Sequence, residues 1–170
     1  FIYTDPDIKS RPLMAVSMGA RLHVTGVEGA FAALPGGSYS FADHSGAADA
    51  HSYDFVQVAE RFIGVPYLWG GRESLGLDCS ALVQTALSMC GHACPRDSDM
   101  QEAVLGAPVS GNLARGDLVF WKGHVGILQD ADTLLHANAT HMSVVSEPFA
   151  PATKRIGETA GDIRQIRRMA

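Results

Sequence analysis

An α+β fold is predicted by three features of the 170-residue sequence. Amphipathic, helix-like segments occupy the middle of the chain. Short alternating segments come after them, which favours helices packed on an antiparallel sheet. A third cluster, of several alternating segments, crowds into residues 1–45 and favours a small β-barrel set before the main domain. Residues 46–53, with Gly46-Ala47-Ala48-Asp49-Ala50 at their centre, read as a linker to a second domain over 54–170.

In the N-terminal part, residues 15–18 and 21–27 alternate like strands around a Gly19 turn. Residues 30–34 and 38–41 come next, separated by Pro35-Gly36-Gly37. Ser52 is placed to cap a helix whose apolar face is Phe55, Val58, Ala59, Phe62 and Ile63, ended by Gly64 and Pro66. A second helix is predicted over 79–90: Leu82, Val83, Ala86, Leu87 and Cys90 recur at helical spacing, Asp78 is its N-cap and Gly91 its stop. Ser98 and Gln101 have the spacing of a capping box, so a short helix is expected to about Leu105. Four strands are expected after the 111–116 connection, over 117–121, 124–128, 133–138 and 143–146. Arg164, Arg167 and Arg168 read as solvated side chains on a last edge strand, where charge discourages pairing with another sheet.

The composition is that of a globular domain, 46% apolar and 18% charged, with no apolar run near the length of a membrane span. A net charge of −5 argues against nucleic acid or an anionic membrane as partner. Trp69, Phe120 and Trp121 have no basic track around them, so they read as core or cleft wall and not as a base-stacking platform. Three cysteines do not form a disulfide framework, which leaves a functional free thiol as the simpler reading. The sequence opens on Phe1 with no charged-then-apolar leader. It therefore reads as a trimmed or processed chain, with a cytoplasmic setting favoured over a periplasmic or secreted one.

The chemistry concentrates at Cys79. Lying in the first turn of a helix, its sulfur is expected to face free N–H groups and the positive end of the helix dipole, both of which favour a thiolate. A cysteine nucleophile also needs a base, and the base needs a group to orient it. His124 and His136 lie on successive predicted strands, equidistant from Asp130. A hairpin centred there would set the two rings side by side, their Cβ atoms roughly 5 Å apart. Taken one at a time, a buried cysteine is more often inert core and a strand histidine more often a satisfied side chain. The joint pattern favours catalysis.

These residues stand in motifs that carry a resemblance. Tyr67-Leu68-Trp69-Gly70-Gly71, Asp78-Cys79-Ser80, Arg115-Gly116-Asp117-Leu118-Val119-Phe120, Gly123-His124-Val125-Gly126-Ile127 and Leu135-His136-Ala137 resemble the NlpC family of papain-like cysteine peptidases, from about Phe55 onward. The N-terminal part is similar to a bacterial SH3-like domain. Residues 95–101 resemble the subgroup that carries such domains and cleaves γ-D-glutamyl-diamino-acid bonds of murein peptides.

The resemblance implies Cys79 as nucleophile, His124 as base, His136 as the orienting third member and Tyr67 as an oxyanion donor. It implies Asp78, Ser80 and Ser98 as contacts to the substrate's amine and D-glutamyl carboxylate, beside their readings as cap and packing residues. It also implies a peptidoglycan-derived peptide as substrate, with no cofactor and no metal. Ala81 departs from the glycine usual after Asp-Cys-Ser, and Ser40-Phe41 departs from the Val-Pro common in the SH3-like domain. Three alternatives stand beside this reading. One is a non-catalytic peptidoglycan-binding module, and another is an acyltransferase or amidase on the same architecture. The third is half of a metal site at Cys90-Gly91-His92-Ala93-Cys94, for which the sequence offers no second ligand pair.

Overall fold

The computed structural model describes residues 1–169, and the chain divides into two units, Phe1–Ala50 and His51–Ala170. In the first, β1 (Ile2–Tyr3), β2 (Pro12–Met14), β3 (Gly26–Glu28), β4 (Phe31–Leu34) and β5 (Ser38–Phe41) form one antiparallel sheet in the order β2-β1-β5-β4-β3. The β4–β5 hairpin turns through Gly36 and Gly37, both at positive φ (83° and 74°), a conformation that side chains with a Cβ resist. Ile2, Phe31 and Ala32 are buried, and Phe31 meets Tyr3 and Phe41 edge-on at 6.2 and 5.8 Å.

This sheet is open, with β2 and β3 as its two edges, where the sequence led us to expect a closed small barrel. The strands expected over 15–18 and 21–27 do not form beyond β3. Their alternation has nothing to bury against: β2 and β3 are exposed throughout, and residues 15–25 are exposed or at most half-buried. Alternation specifies a strand only where one of its faces is covered.

The second unit opens with α1 (Phe55–Glu60), capped by Asp54, whose Oδ1 accepts the N–H groups of Val56 and Gln57 at 2.8 and 3.2 Å. Ser52 was the expected cap; its backbone N–H instead donates to the Met89 carbonyl. The hairpin of β6 (Arg72–Glu73) and β7 (Gly76–Leu77) leads into α2 (Cys79–Met89), and then comes α3 (Ser98–Val104). Asp97, not Ser98, holds the N-cap position of α3, and no side chain closes a capping box there. Gln101 is drawn away to the Ser80 and Pro95 carbonyls.

Six strands complete the unit: β8 (Ala107–Pro108), β9 (Asp117–Trp121), β10 (His124–Leu128), β11 (Thr133–Asn138), β12 (Ser143–Pro148) and β13 (Gln165–Arg168), ordered β12-β11-β10-β9-β13-β8. Its central strands, β9, β10 and β11, are buried on both faces. Val119, Trp121, Leu128 and Leu134 pack with Ala152 of α4 (Phe149–Ala160), and Phe149 and Ile156 seal that side. Alternation along the strands leaves Leu118, Phe120, Val125, Ile127, Leu135 and Ala137 to the other face, toward α2, which packs on β10 and β11. Leu82, Val83 and Leu87 of α2 are fully buried, and such side chains contribute about 1.5–3 kcal/mol each. The exposed Arg115 bridges to Asp54 and Glu60 are of the kind worth about 0–1 kcal/mol. Apolar burial therefore holds α2 in place.

Two features differ from the sequence expectation. The helix α4 was not anticipated; its Pro151 lies in the first helical turn, where a proline gives up only an N–H that has no helical partner. The last strand is internal, lying between β9 and β8, so it is not the edge expected; Arg164 and Arg168 are exposed as expected, but they are paired. Arg168 grips the buried Asp117 carboxylate at 2.6 and 2.8 Å, Arg164 pairs with Glu102 at 3.1 Å, and Arg167 donates to the carbonyls of Leu105 and Gly106.

Candidate active site

The helix α2 begins where its cap is held most firmly. Asp78 Oδ1 accepts the Ala81 N–H at 2.9 Å, and Oδ2 accepts the Gly70 N–H at 2.9 Å, joining the helix start to the preceding glycine loop. Arg96 closes a two-pronged bridge on the same carboxylate at 2.6 and 2.9 Å, and its Nη1 also donates to Ser80 Oγ at 2.8 Å. Burial alone would raise the Asp78 carboxyl, but Arg96 and the two amides outweigh it and hold the group below its ordinary value. Asp78 and Ser80 thus form one network with Arg96. Ser98 is half-buried at the start of α3, two residues after Arg96.

Cys79 is the next residue, buried at 7% exposure. The backbone amides of Val125, the residue after His124 on β10, of Ser80 and of Cys79 itself act on its sulfur in favour of the thiolate. These donors do not produce a preformed thiolate. Burial raises the thiol above its ordinary value, and the Asp78 charge adds to that. The helix terminus was expected to favour the thiolate; packing that terminus against a sheet desolvates the sulfur, and desolvation prevails. Ala81, the departure from glycine, is buried at 1% exposure, so its methyl lies in the core and not on the cleft surface.

The two histidines meet. His124 Nε2 lies 2.8 Å from His136 Nδ1, with ring centroids 5.0 Å apart and the planes at 69°. Their strands are not in the expected register. β10 and β11 pair Ile127 with Leu135 and Leu128 with Leu134, which centres the hairpin on residue 131 and not 130. The rings are therefore diagonal neighbours on one face, and the position facing His136 is Gly126. A Cβ there would stand 3.4 Å from the His136 Cβ and 2.6 Å from Leu134 Cδ1, so the glycine leaves the space in which the rings turn toward each other. Trp121 lies against His124, ring centroids 5.7 Å apart. Burial lowers both imidazoles, that of His124 to about 3 with His136 and Arg155 adding to the effect, so both rings are neutral at rest.

Tyr67 is half-buried, its phenol raised by burial and by the negative charges that Cys79 and Asp78 carry when ionised. It stays protonated and able to donate. Taken together, the arrangement offers a neutral thiol, a neutral ring pair and amide donors at a helix start, the parts from which acyl transfer is assembled. The NlpC/P60 family model matches residues 64–156, a span containing Tyr67, Cys79, His124 and His136. The chain belongs to the NlpC/P60 family.

Relatives in this family include a gamma-D-glutamyl-L-lysine dipeptidyl-peptidase of Bacillus subtilis, 35% identical over 54% of this chain and 33% of its own length. Dipeptidyl-peptidase 6 of Lysinibacillus sphaericus is 34% identical over 57% of this chain and 36% of its own. The chain thus spans about a third of the length of these curated relatives. Among solved structures, an NlpC/P60 family protein from Bacillus cereus superposes with a TM-score of 0.73 at 25% identity, covering 98% of this chain and 59% of that one. The peptidoglycan hydrolase RipB of Mycobacterium tuberculosis gives 0.55 at 27% identity, over 68% and 62%.

Within this NlpC/P60 site, sequence reasoning missed the groups that hold the named residues. Arg96 was noted only as part of a motif, although it binds Asp78 and Ser80 together. Glu147 accepts from His136 Nε2 at 2.6 Å and is gripped by Arg155 of α4 at 2.5 and 2.8 Å. Asn138 Nδ2 lies 3.0 Å from the same His136 nitrogen. Glu147 lies one residue beyond the strand expected over 143–146, and it is the β11–β12 register, pairing Leu134 with Glu147, that puts it on the histidine face. Cys90 and Cys94 lie apart from the site, Cys90 at the C-cap of α2 and Cys94 with its sulfur 3.4 Å from the Pro95 carbonyl. Among the described residues, no group of three or more His, Cys, Asp or Glu is arranged to hold a metal.

Proposed function

We propose that the His51–Ala170 unit is a cysteine endopeptidase that hydrolyses peptidoglycan stem peptides at the bond between γ-D-glutamate and the following diamino acid. The observation that carries this reading is the direct ring-to-ring hydrogen bond of His124 and His136, together with a helix-terminal thiol acted on by the amide of Val125, the residue after His124 on β10. Binding alone would need neither the thiol nor the paired rings. The name of the Bacillus subtilis relative, a gamma-D-glutamyl-L-lysine dipeptidyl-peptidase, supports the substrate class.

In this reading Cys79 attacks the amide carbonyl of D-glutamate as its proton passes to His124, a concerted step suited to a neutral thiol beside a neutral base. The amides at the start of α2 and the Tyr67 hydroxyl receive the oxyanion; each such donor is typically worth about 3–4 kcal/mol. His124 then protonates the departing amine, leaving an acyl-enzyme that water releases. Asp78, Ser80 and Arg96 form one polar wall, and Ser98 is a further contact for the glutamyl end.

Mass spectrometry of L-Ala-γ-D-Glu-diaminopimelate and L-Ala-γ-D-Glu-L-Lys digests tests the reading, with Cys79→Ala as control. The expected products are L-Ala-D-Glu and the free diamino acid, absent in the variant. Two intact tripeptides in the presence of folded protein would overturn the substrate assignment; cleavage surviving Cys79→Ala would overturn the mechanism.

A further inference from the structure

The polar chain that begins at His124 does not stop at His136. Beyond it stands Glu147, whose Oε1 lies 2.6 Å from His136 Nε2, and beyond Glu147 stands Arg155, with one guanidinium nitrogen on each carboxylate oxygen at 2.5 and 2.8 Å. The geometry points to Glu147 as a positioning residue for the proposed peptidase reaction, its carboxylate fixing the tautomers of both histidines so that Nδ1 of His124 is the nitrogen left open to the thiol proton. The inference rests on that functional reading for its consequence, though not for its geometry.

Counting protons decides the tautomers. A neutral imidazole carries a single N–H. An ionised carboxylate only accepts, so the His136 proton must sit on Nε2, facing Glu147. Nδ1 of His136 is then a lone pair, and the His124 nitrogen 2.8 Å away must be the donor. His124 therefore carries its proton on Nε2 and offers Nδ1 as a base. Arg155 holds the carboxylate in its ionised form: despite burial, it and His136 bring Glu147 down to about 2.

Asn138 competes for the same nitrogen. Its amide orientation is set, because Oδ1 accepts the His141 backbone N–H at 2.9 Å, which leaves Nδ2 facing His136 Nε2 at 3.0 Å. Were the amide to donate there, the His136 proton would move to Nδ1. His124 would then accept through Nε2 and hold its own proton on Nδ1, unable to take one from sulfur. A charged hydrogen bond at 2.6 Å outweighs a neutral one at 3.0 Å, so Glu147 decides the tautomer. During attack the S–H bond breaks and an N–H bond forms on His124 Nδ1. The imidazolium charge so created is linked through His136 to the Glu147 carboxylate. When the amine leaves, that same proton goes to it and the rings return to their starting tautomers.

The test uses the full chain labelled with 15N and the near-isosteric variant Glu147→Gln. Long-range 15N–1H spectra of the histidine rings at neutral pH should show both His124 and His136 protonated on Nε2 in the parent protein. In the variant, whose amide can donate as well as accept, His136 should shift toward Nδ1–H. On a cleaved tripeptide the variant should lose at least about tenfold in kcat, toward the roughly 10⁴-fold that a wrong tautomer can cost, with KM within about twofold. A merely structural role would lower the melting temperature and leave the tautomers and kcat of the folded protein alone. An Nδ1–H tautomer for His136 in the parent protein would overturn the inference. So would unchanged tautomers and kcat in Glu147→Gln, or in Arg155→Met if the first variant does not fold. Failure of the parent protein to cleave either tripeptide would instead sink the functional reading, and the ring spectra would still decide the part played by Glu147.

Discussion

A thiol and an imidazole that are both neutral at rest make a specific demand on the pH behaviour of Cys79. Its thiol is raised above the ordinary value by burial, so the reactive thiolate is scarce at neutrality and accumulates only as pH climbs past that value. Site-resolved iodoacetamide labelling, read by peptide mass spectrometry so that Cys90 and Cys94 do not interfere, should rise about tenfold per pH unit from 7 through 9 at Cys79. A rate already flat at pH 6 would mean a preformed ion pair and would refute the neutral resting state. At this scale the candidate groups were legible in the sequence, because Cys79, His124 and His136 sit at positions where helix start and strand alternation give them meaning. Their partners were not. Glu147 and Arg155 act on His136 through a register and a helix that the sequence did not reveal, and desolvation of the thiol is a property of packing, invisible along the chain.

Among the elements, the β10–β11 hairpin shows how an expected register can be wrong and still bring the right residues together. Centring the turn on 131 in place of 130 changes every facing pair but preserves parity, so His124 and His136 remain on one face as diagonal neighbours. A shift of opposite parity would have sent one ring to the α2 side. The bounds of β9, β10 and β11 agree with their expected ranges because all three are bounded by turn residues and buried on both faces. No strand was expected between Leu68 and Leu77, and the folding of this segment into β6 and β7 depends on backbone contacts that no side-chain pattern announces. Gly71 lies at the crux: a Cβ there would run into the Gly76 carbonyl and come within 2.9 Å of the Leu68 carbonyl oxygen, backbone atoms with no rotamer to yield. The Gly71 carbonyl also accepts the Asp78 N–H at 3.3 Å and Arg96 Nη2 at 3.3 Å. Gly71→Ala should therefore open the turn and loosen the start of α2, destabilising the unit by about 1–3 kcal/mol, the usual cost of overpacking. Urea denaturation of the variant measures this; a midpoint equal to that of the parent would show that the loop yields freely.

For the molecule as a whole, the question is how much of the chain the site requires. Every group of the candidate site, Arg96, Asp78 and Cys79 as well as His124, His136, Glu147 and Arg155, lies within His51–Ala170. So do the residues that bury both faces of β9, β10 and β11, and so does the span that the family model matches. That unit is of a size at which a single hydrophobic core sustains an independent domain. The Phe1–Ala50 unit, by contrast, buries only Ile2, Phe31, Ala32 and Ser40, and its two edge strands are wholly exposed. A protein beginning at His51 should consequently unfold in urea as one cooperative transition. Its Cys79 labelling profile should match that of the full chain across pH 6 to 10, because the groups that set the thiol all remain. A fragment without cooperative unfolding would show that the sheet needs the first unit to persist. A fragment that folds but labels Cys79 at a different pH would show that residues before His51 act on the thiol.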